Sequence, residues 1–294
     1  MIIDAHVHYE PEILPMERML ACMDKHGIDK AALIAPANEP FYLSGSWLEN
    51  NLGKVMRNCL YYANPLGHIL YQTLFDKKGE NVVLLGKKYH IFKKPDNALV
   101  AQAVEENLDR LLGWIFINPE AEVDPVVEVE RWSTHPGMVG VKAVPFWHDY
   151  PVSELDRVAS WCREHGCPIL MHIGCRGGSG NYRRLPEKYP GLKVIYAHAG
   201  IPYFRKLWSY AKDKQGVYVD LSGPGYLDRK FIGEAVDFLG ADRCLYGTDG
   251  PYGDQSPGED FDYGLRKAWI ESLPLSDREL EKIFHENFEG ILED

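Results

Sequence analysis

His6 and His8 end the apolar run that begins the sequence, Met1-Ile2-Ile3-Asp4-Ala5-His6-Val7-His8. On a β-strand alternate side chains share a face, which sets these two imidazoles roughly 6–7 Å apart along one side. Alone, an H-x-H pair is a weak motif, as often a pair of hydrogen-bonded histidines as a pair of ligands. Residues of the same kind end three later apolar runs: His172 follows Pro168-Ile169-Leu170-Met171, His198 follows Val194-Ile195-Tyr196-Ala197, and Asp249 follows Cys244-Leu245-Tyr246-Gly247-Thr248. Burying such groups without partners costs several kcal/mol in total. Three neutral imidazoles and a carboxylate form a nitrogen and oxygen shell that suits Zn²⁺. Water held by that ion has a pKa of about 7, so the chemistry on offer is attack by activated water.

For residues so far apart to meet, the elements between them must bring all the strand ends to one place. Eight short apolar runs alternate with helix-period segments, at 1–8, 30–36, 112–118, 139–146, 168–174, 192–199, 217–222 and 243–249. That alternation is the pattern of βα units with a parallel sheet. Apolar residues at 16, 19, 20 and 23, and at 155, 158, 159 and 162, form stripes suited to helices lying on such a sheet. Ser153 with Asp156 reads as the opening of the second helix, and Gly27, Gly166, Gly216 and Gly240 as the ends of four others. The pattern predicts a closed (β/α)₈ TIM barrel spanning 1–294 as one domain. An open doubly wound sheet is the alternative, but it usually carries a glycine-rich turn after its first strand, where this chain has Tyr9-Glu10-Pro11.

One interval breaks the rhythm. Residues 37–96 separate the second strand from a helix predicted at 97–110, far more than such a connection needs. The segment reads as an insertion, with a helix expected over 64–75, placed after a strand's C-terminal end where barrel enzymes carry their active sites. A lid or specificity role is expected, with an oligomer contact as the alternative.

The runs Ile3-Asp4-Ala5-His6-Val7-His8, Gly140-Val141-Lys142, Met171-His172, Ala197-His198-Ala199-Gly200, Gly247-Thr248-Asp249 and Ile283-Phe284-His285-Glu286-Asn287-Phe288, in this order, resemble the amidohydrolase superfamily. The likeness is to the branch that contains aminocarboxymuconate semialdehyde decarboxylase and related metal-dependent hydrolases. It covers almost the whole chain and implies the barrel with an extra C-terminal helix. It also implies that His6, His8, His172 and Asp249 bind one divalent metal, with His198 beside the reacting water or substrate as base or electrostatic stabiliser. Asp249 would double as acceptor of the water's proton. In other branches a lysine near the end of strand four is carboxylated and bridges two metals. In this branch the resemblance points instead to substrate binding or a structural role for Lys142. The substrate is not part of the resemblance.

Two further residues come from position alone. Arg176 lies in the glycine-rich run Cys175-Arg176-Gly177-Gly178-Ser179-Gly180, where backbone can approach a ligand and a guanidinium fork can hold a carboxylate. His148 follows strand four closely enough to touch substrate at the mouth. Asp4 shares the parity of His6 but lies deeper, which favours a hydrogen-bonding role.

With 43 acidic against 32 basic residues the formal net charge is −11, which argues against nucleic acid or an anionic membrane as partner. No run approaches the ~20 apolar residues of a membrane span, and the six cysteines form no C-x-x-C pair. A cytoplasmic protein acting on a small molecule is expected, and the resemblance adds a homodimer. The expected activity is hydrolysis of a C–N or C–O bond in a small compound, carboxylated compounds included. Non-oxidative decarboxylation on the same ligand set and a non-catalytic binding barrel are the alternatives.

Overall fold

The computed structural model describes residues 1–41, 47–62, 64–76, 79–84, 86–176, 178–252 and 261–293. Parts of the 37–96 segment and Gly177 of the glycine-rich loop therefore lie outside the described residues. The strands are β1 (Ile3–His8), β2 (Lys30–Ile34), β3 (Asn81–Leu84), β4 (Lys87–His90), β5 (Leu111–Ile117), β6 (Met138–Ala143), β7 (Ile169–Met171), β8 (Val194–Tyr196), β9 (Val217–Asp220) and β10 (Cys244–Leu245). Eight of them form one parallel sheet in the order β1-β2-β5-β6-β7-β8-β9-β10. Each expected run overlaps one of these eight strands, with β5 and β6 starting one residue earlier than expected.

The sheet curls until its ends meet. Across the seam Ala5 N–H donates to the Tyr246 carbonyl at 3.0 Å, Thr248 N–H to His6 at 3.1 Å, and His8 N–H to Gly250 at 2.7 Å. Asp4, fully buried, fastens the same seam by accepting from Thr248 N at 3.0 Å and Thr248 Oγ1 at 2.5 Å. Helices cover the outside, so strands buried on both faces read as continuous apolar runs. Trp114 fills the interior, its Nε1 donating to the Ala5 carbonyl at 3.0 Å, and the late helix packs Phe288 on it at 6.0 Å.

Helix Met16–His26 ends at Gly27, which takes the left-handed φ of 66°. The expected start at Ser153 is corrected. A 3₁₀ turn over Val152–Leu155 leads into helix Asp156–Glu164, and no side chain caps either.

Between β2 and helix Asn97–Glu105 the chain builds helices Trp47–Tyr62 and Asn64–Gln72 and the antiparallel pair β3–β4. The second helix was legible as 64–75 and the first was not. Tyr61 clamps this segment to the barrel helices, packing on Phe231 at 4.4 Å and Phe204 at 5.4 Å. Among the described residues no helix is long and apolar enough to cross a membrane.

Candidate metal centre at the barrel mouth

β1 carries a bulge between Asp4 and Val7, where its register against β2 slips by one residue. Bulges re-aim side chains near sites. Here His6 and His8 still converge, with ring centroids 5.7 Å apart. Asp249 meets them from the other side of the seam, its Oδ1 3.3 Å from His6 Nε2 and 3.4 Å from His8 Nε2. These three donors lie within 4.8 Å of one another. His8 and Asp249 keep 11% and 16% of their side chains exposed and His6 keeps none, so the cluster opens on the Asp249 side.

Behind the cluster stands Asp220, at the end of β9 and fully buried. His6 Nδ1 lies 2.8 Å from its Oδ2, while Oδ1 accepts from His198 N at 2.9 Å and Ser222 N at 3.0 Å and takes the Ser222 hydroxyl proton. This bookkeeping sets two tautomers. His6 gives its Nδ1–H to Asp220 and keeps a lone pair on Nε2. Ser222 Oγ, its own proton spent on Asp220, accepts from His198 Nδ1 at 2.9 Å, so His198 also keeps its lone pair on Nε2. That nitrogen is 3.9 Å from Asp249 Oδ2. Gly223 is required beside it: its φ is 94°, and a Cβ there would sit 2.7 Å from His198 Nδ1.

Burial pushes His6, His172 and His198 well below the usual histidine range. Neutral imidazoles are what a cation needs, and a carboxylate behind a histidine is a common support for a ligating ring. The donor set therefore fits a divalent ion. One group works against it: Lys142, buried on β6, places Nζ 3.1 Å from His6 Nε2. Burial pushes this lysine down to about 8, which weakens its hold on that lone pair.

The structure sorts the remaining expected site residues by place. His172 flanks the trio, its ring 4.6 Å from His198, and its Nε2 is 2.7 Å from the hydroxyl of Tyr71. Lys142 faces the cluster from below, because inward parity on β6 points it into the barrel. Arg176 stays outside, half exposed, with Nη1 4.0 Å from Asp149. It lines an outer cleft with Gln72, Phe75, Phe146, Trp147 and Cys175. His148 turns away from the cluster and donates from Nε2 to the Phe92 carbonyl at 3.1 Å, tying the segment after β4 to the barrel.

Burial also pushes His148 down to about 4. Between pH 6.5 and 4 the unfolded chain binds this proton and the folded one does not, so stability falls as pH falls through that window. Acidifying wild type from pH 7 to 4.5 is expected to lose up to about 3 kcal/mol more than acidifying His148→Gln. Urea midpoints at the two pH values check this, and equal losses count against it.

Sequence reasoning missed Asp220, Ser222, Tyr71 and Tyr226. Asp220 ends an apolar run just as His172 and His198 do, so its signal was present. Tyr226 packs on His198 with centroids 4.9 Å apart, but a tyrosine in a loop carries no such mark.

A family model described as Amidohydrolase matches residues 86–289. Solved structures share the fold along nearly the whole chain. The 4-oxalomesaconate hydratase of Rhodopseudomonas palustris is 17% identical, with 99% of this chain and 95% of that one covered and a TM-score of 0.62. A candidate 2-pyrone-4,6-dicarboxylic acid hydrolase of Pseudomonas putida is 17% identical over 99% and 97%, with a TM-score of 0.62. A dihydroxybenzoic acid decarboxylase of Polaromonas, with bound manganese and an inhibitor, is 18% identical over 99% and 96%, with a TM-score of 0.59. No curated protein matches the sequence. With well over half of its residues matched by the family model and the barrel closed as described, the chain belongs to the amidohydrolase family.

Proposed function

We propose that this protein is a metal-dependent hydrolase of small, carboxylated compounds, with one divalent cation, Zn²⁺ by the donor types, held by His6, His8, His172 and Asp249. The observation that supports this reading is one shared carboxylate: Asp249 turns Oδ1 to His6 and His8 and Oδ2 to His198. When bound, the cation supplies Lewis acidity, lowering the pKa of coordinated water and polarising a scissile carbonyl. Asp249 takes the proton that the attacking water loses. His198, neutral and with its lone pair on Nε2, receives it and returns it to the leaving nitrogen or oxygen. Asp220 and Ser222 keep both histidines in the tautomers this exchange needs.

The 37–96 segment belongs to the same domain in this reading and covers the mouth, a role supported by Tyr71 reaching His172. Arg176, at the outer cleft, would meet an acidic group of the incoming substrate, with Lys142 as the floor beneath the cluster.

Purified protein should hold about one metal per chain, with the metal lost in the double variant His6→Ala/His172→Ala, as elemental analysis will show. Lactones, esters and amides should then be cleaved by the metal-loaded enzyme. Release of CO₂ from carboxylic acids without such cleavage would replace hydrolysis by decarboxylation. Tight binding without turnover of any of these would leave a binding barrel.

A further inference from the structure

Among the described residues of the 37–96 segment, Tyr71 reaches the histidine cluster. It lies on helix Asn64–Gln72, is fully buried, and sets its hydroxyl 2.7 Å from His172 Nε2. Its ring lies flat on Phe146, with centroids 4.0 Å apart and 3° between the planes, and Phe146 packs on His172 at 5.0 Å. Stacking holds the ring in place whether or not the hydroxyl is there. The contact with His172 is therefore something the packing does not require.

A phenol has one proton to give. The second polar neighbour of the Tyr71 hydroxyl is that of Tyr226, whose ring stands edge-on to Tyr71 at 6.0 Å. If the proton goes to Tyr226, the Tyr71 oxygen accepts Nε2–H from His172. The lone pair of His172 is then on Nδ1, a nitrogen that receives no hydrogen bond from any described residue. If the proton goes to His172 instead, Nδ1 carries a hydrogen and cannot ligate.

We propose that Tyr71 is a positioning residue for His172: by accepting Nε2–H it holds the imidazole in the tautomer whose Nδ1 can bind a cation, so that seating of the inserted segment and loading of the metal favour each other. The inference rests on the reading of His172 as a ligand. Coupling of this kind is reciprocal. Metal should stabilise the seated segment as much as the seated segment improves the site.

The test uses the full chain and Tyr71→Phe, which keeps the ring on Phe146 and removes only the hydroxyl. Cobalt affinity, measured by competition with a chelator, should fall at least about tenfold in the variant. Cobalt should slow proteolysis within 37–96 in wild type and slow it less in Tyr71→Phe. In the metal-free proteins, ¹⁵N spectra of the imidazole absent from His172→Gln should show Nε2 protonated in wild type and a mixture of tautomers in Tyr71→Phe. A variant that binds cobalt as tightly as wild type, or more tightly, overturns the proposal. So does a wild-type His172 protonated on Nδ1. If wild type binds no cobalt, the metal reading fails by itself, and the role of Tyr71 stands or falls on the spectra: a redistributed tautomer supports it and an unchanged one overturns it.

Discussion

Asp249→Asn should lower kcat/KM by at least about 10²–10⁴-fold, the range expected when a positioned base is removed, with further loss from a weakened metal site. The substitution is chosen for its backbone. Asp249 has a φ of 62°, a left-handed conformation that asparagine shares readily and alanine adopts at a cost of about 1–2 kcal/mol. The Asp249 N–H bond to the His6 carbonyl, at 2.7 Å, is unaffected. Asparagine keeps the shape and one oxygen but loses the charge and the second acceptor that faces His198. Steady-state rates at saturating metal, beside a melting curve close to wild type, would show chemistry lost without fold. A variant retaining more than a tenth of the activity would remove Asp249 from the proton path.

Asp220→Ala has the largest expected effect on stability. Its carboxylate receives His6 Nδ1, His198 N, Ser222 N and the Ser222 hydroxyl, all buried. Removing it leaves those donors without an acceptor, each costing about 1–3 kcal/mol though not additively, for a total of about 3–5 kcal/mol. For a chain of this size that is a fall in Tm of roughly 10 °C. Metal affinity should drop about 10–100-fold as His6 loses its support. Asp220→Asn separates the two effects: the amide fills the space, but its NH₂ facing His6 Nδ1 forces the proton to Nε2. Stability should then fall less than in the alanine variant while metal binding is lost. If the asparagine variant binds metal normally, the tautomer argument for His6 is wrong.

Much of the barrel was legible because strands buried on both faces read as apolar runs, and because each run that feeds the cluster ends abruptly in a polar residue. β10 is only Cys244–Leu245 by its pairing, yet Gly247-Thr248-Asp249 marked its end. Asp220 was overlooked because an aspartate ending a strand resembles any turn residue until its four donors are seen. Tyr71 had no such mark. It meets His172 across 101 residues, from a helix whose neighbours, Asn64-Pro65 and Gly67, break the periodicity that would have fixed its face. Helix Trp47–Tyr62 was hidden for a similar reason, with Asn50, Asn51 and Gly53 diluting its apolar stripe. Arg176 was legible as a residue type but not by its place. A guanidinium among glycines reads as a ligand clamp, and the structure sets it in an outer cleft whose lining residue Phe146 also packs on His172, a link that spacing along the chain does not reveal.

The seam where the first and last strands zip together also has a kinetic meaning. His6 and Asp249 are separated by nearly the whole polypeptide, and the His6 carbonyl binds Thr248 and Asp249 directly. A partly folded chain that has not yet docked its final strand lacks both the hydrogen bonds of the join and the carboxylate beside them. In the proposed reading, uptake of a cation would thus mark the completed ring, and bound metal would report that the seam has closed.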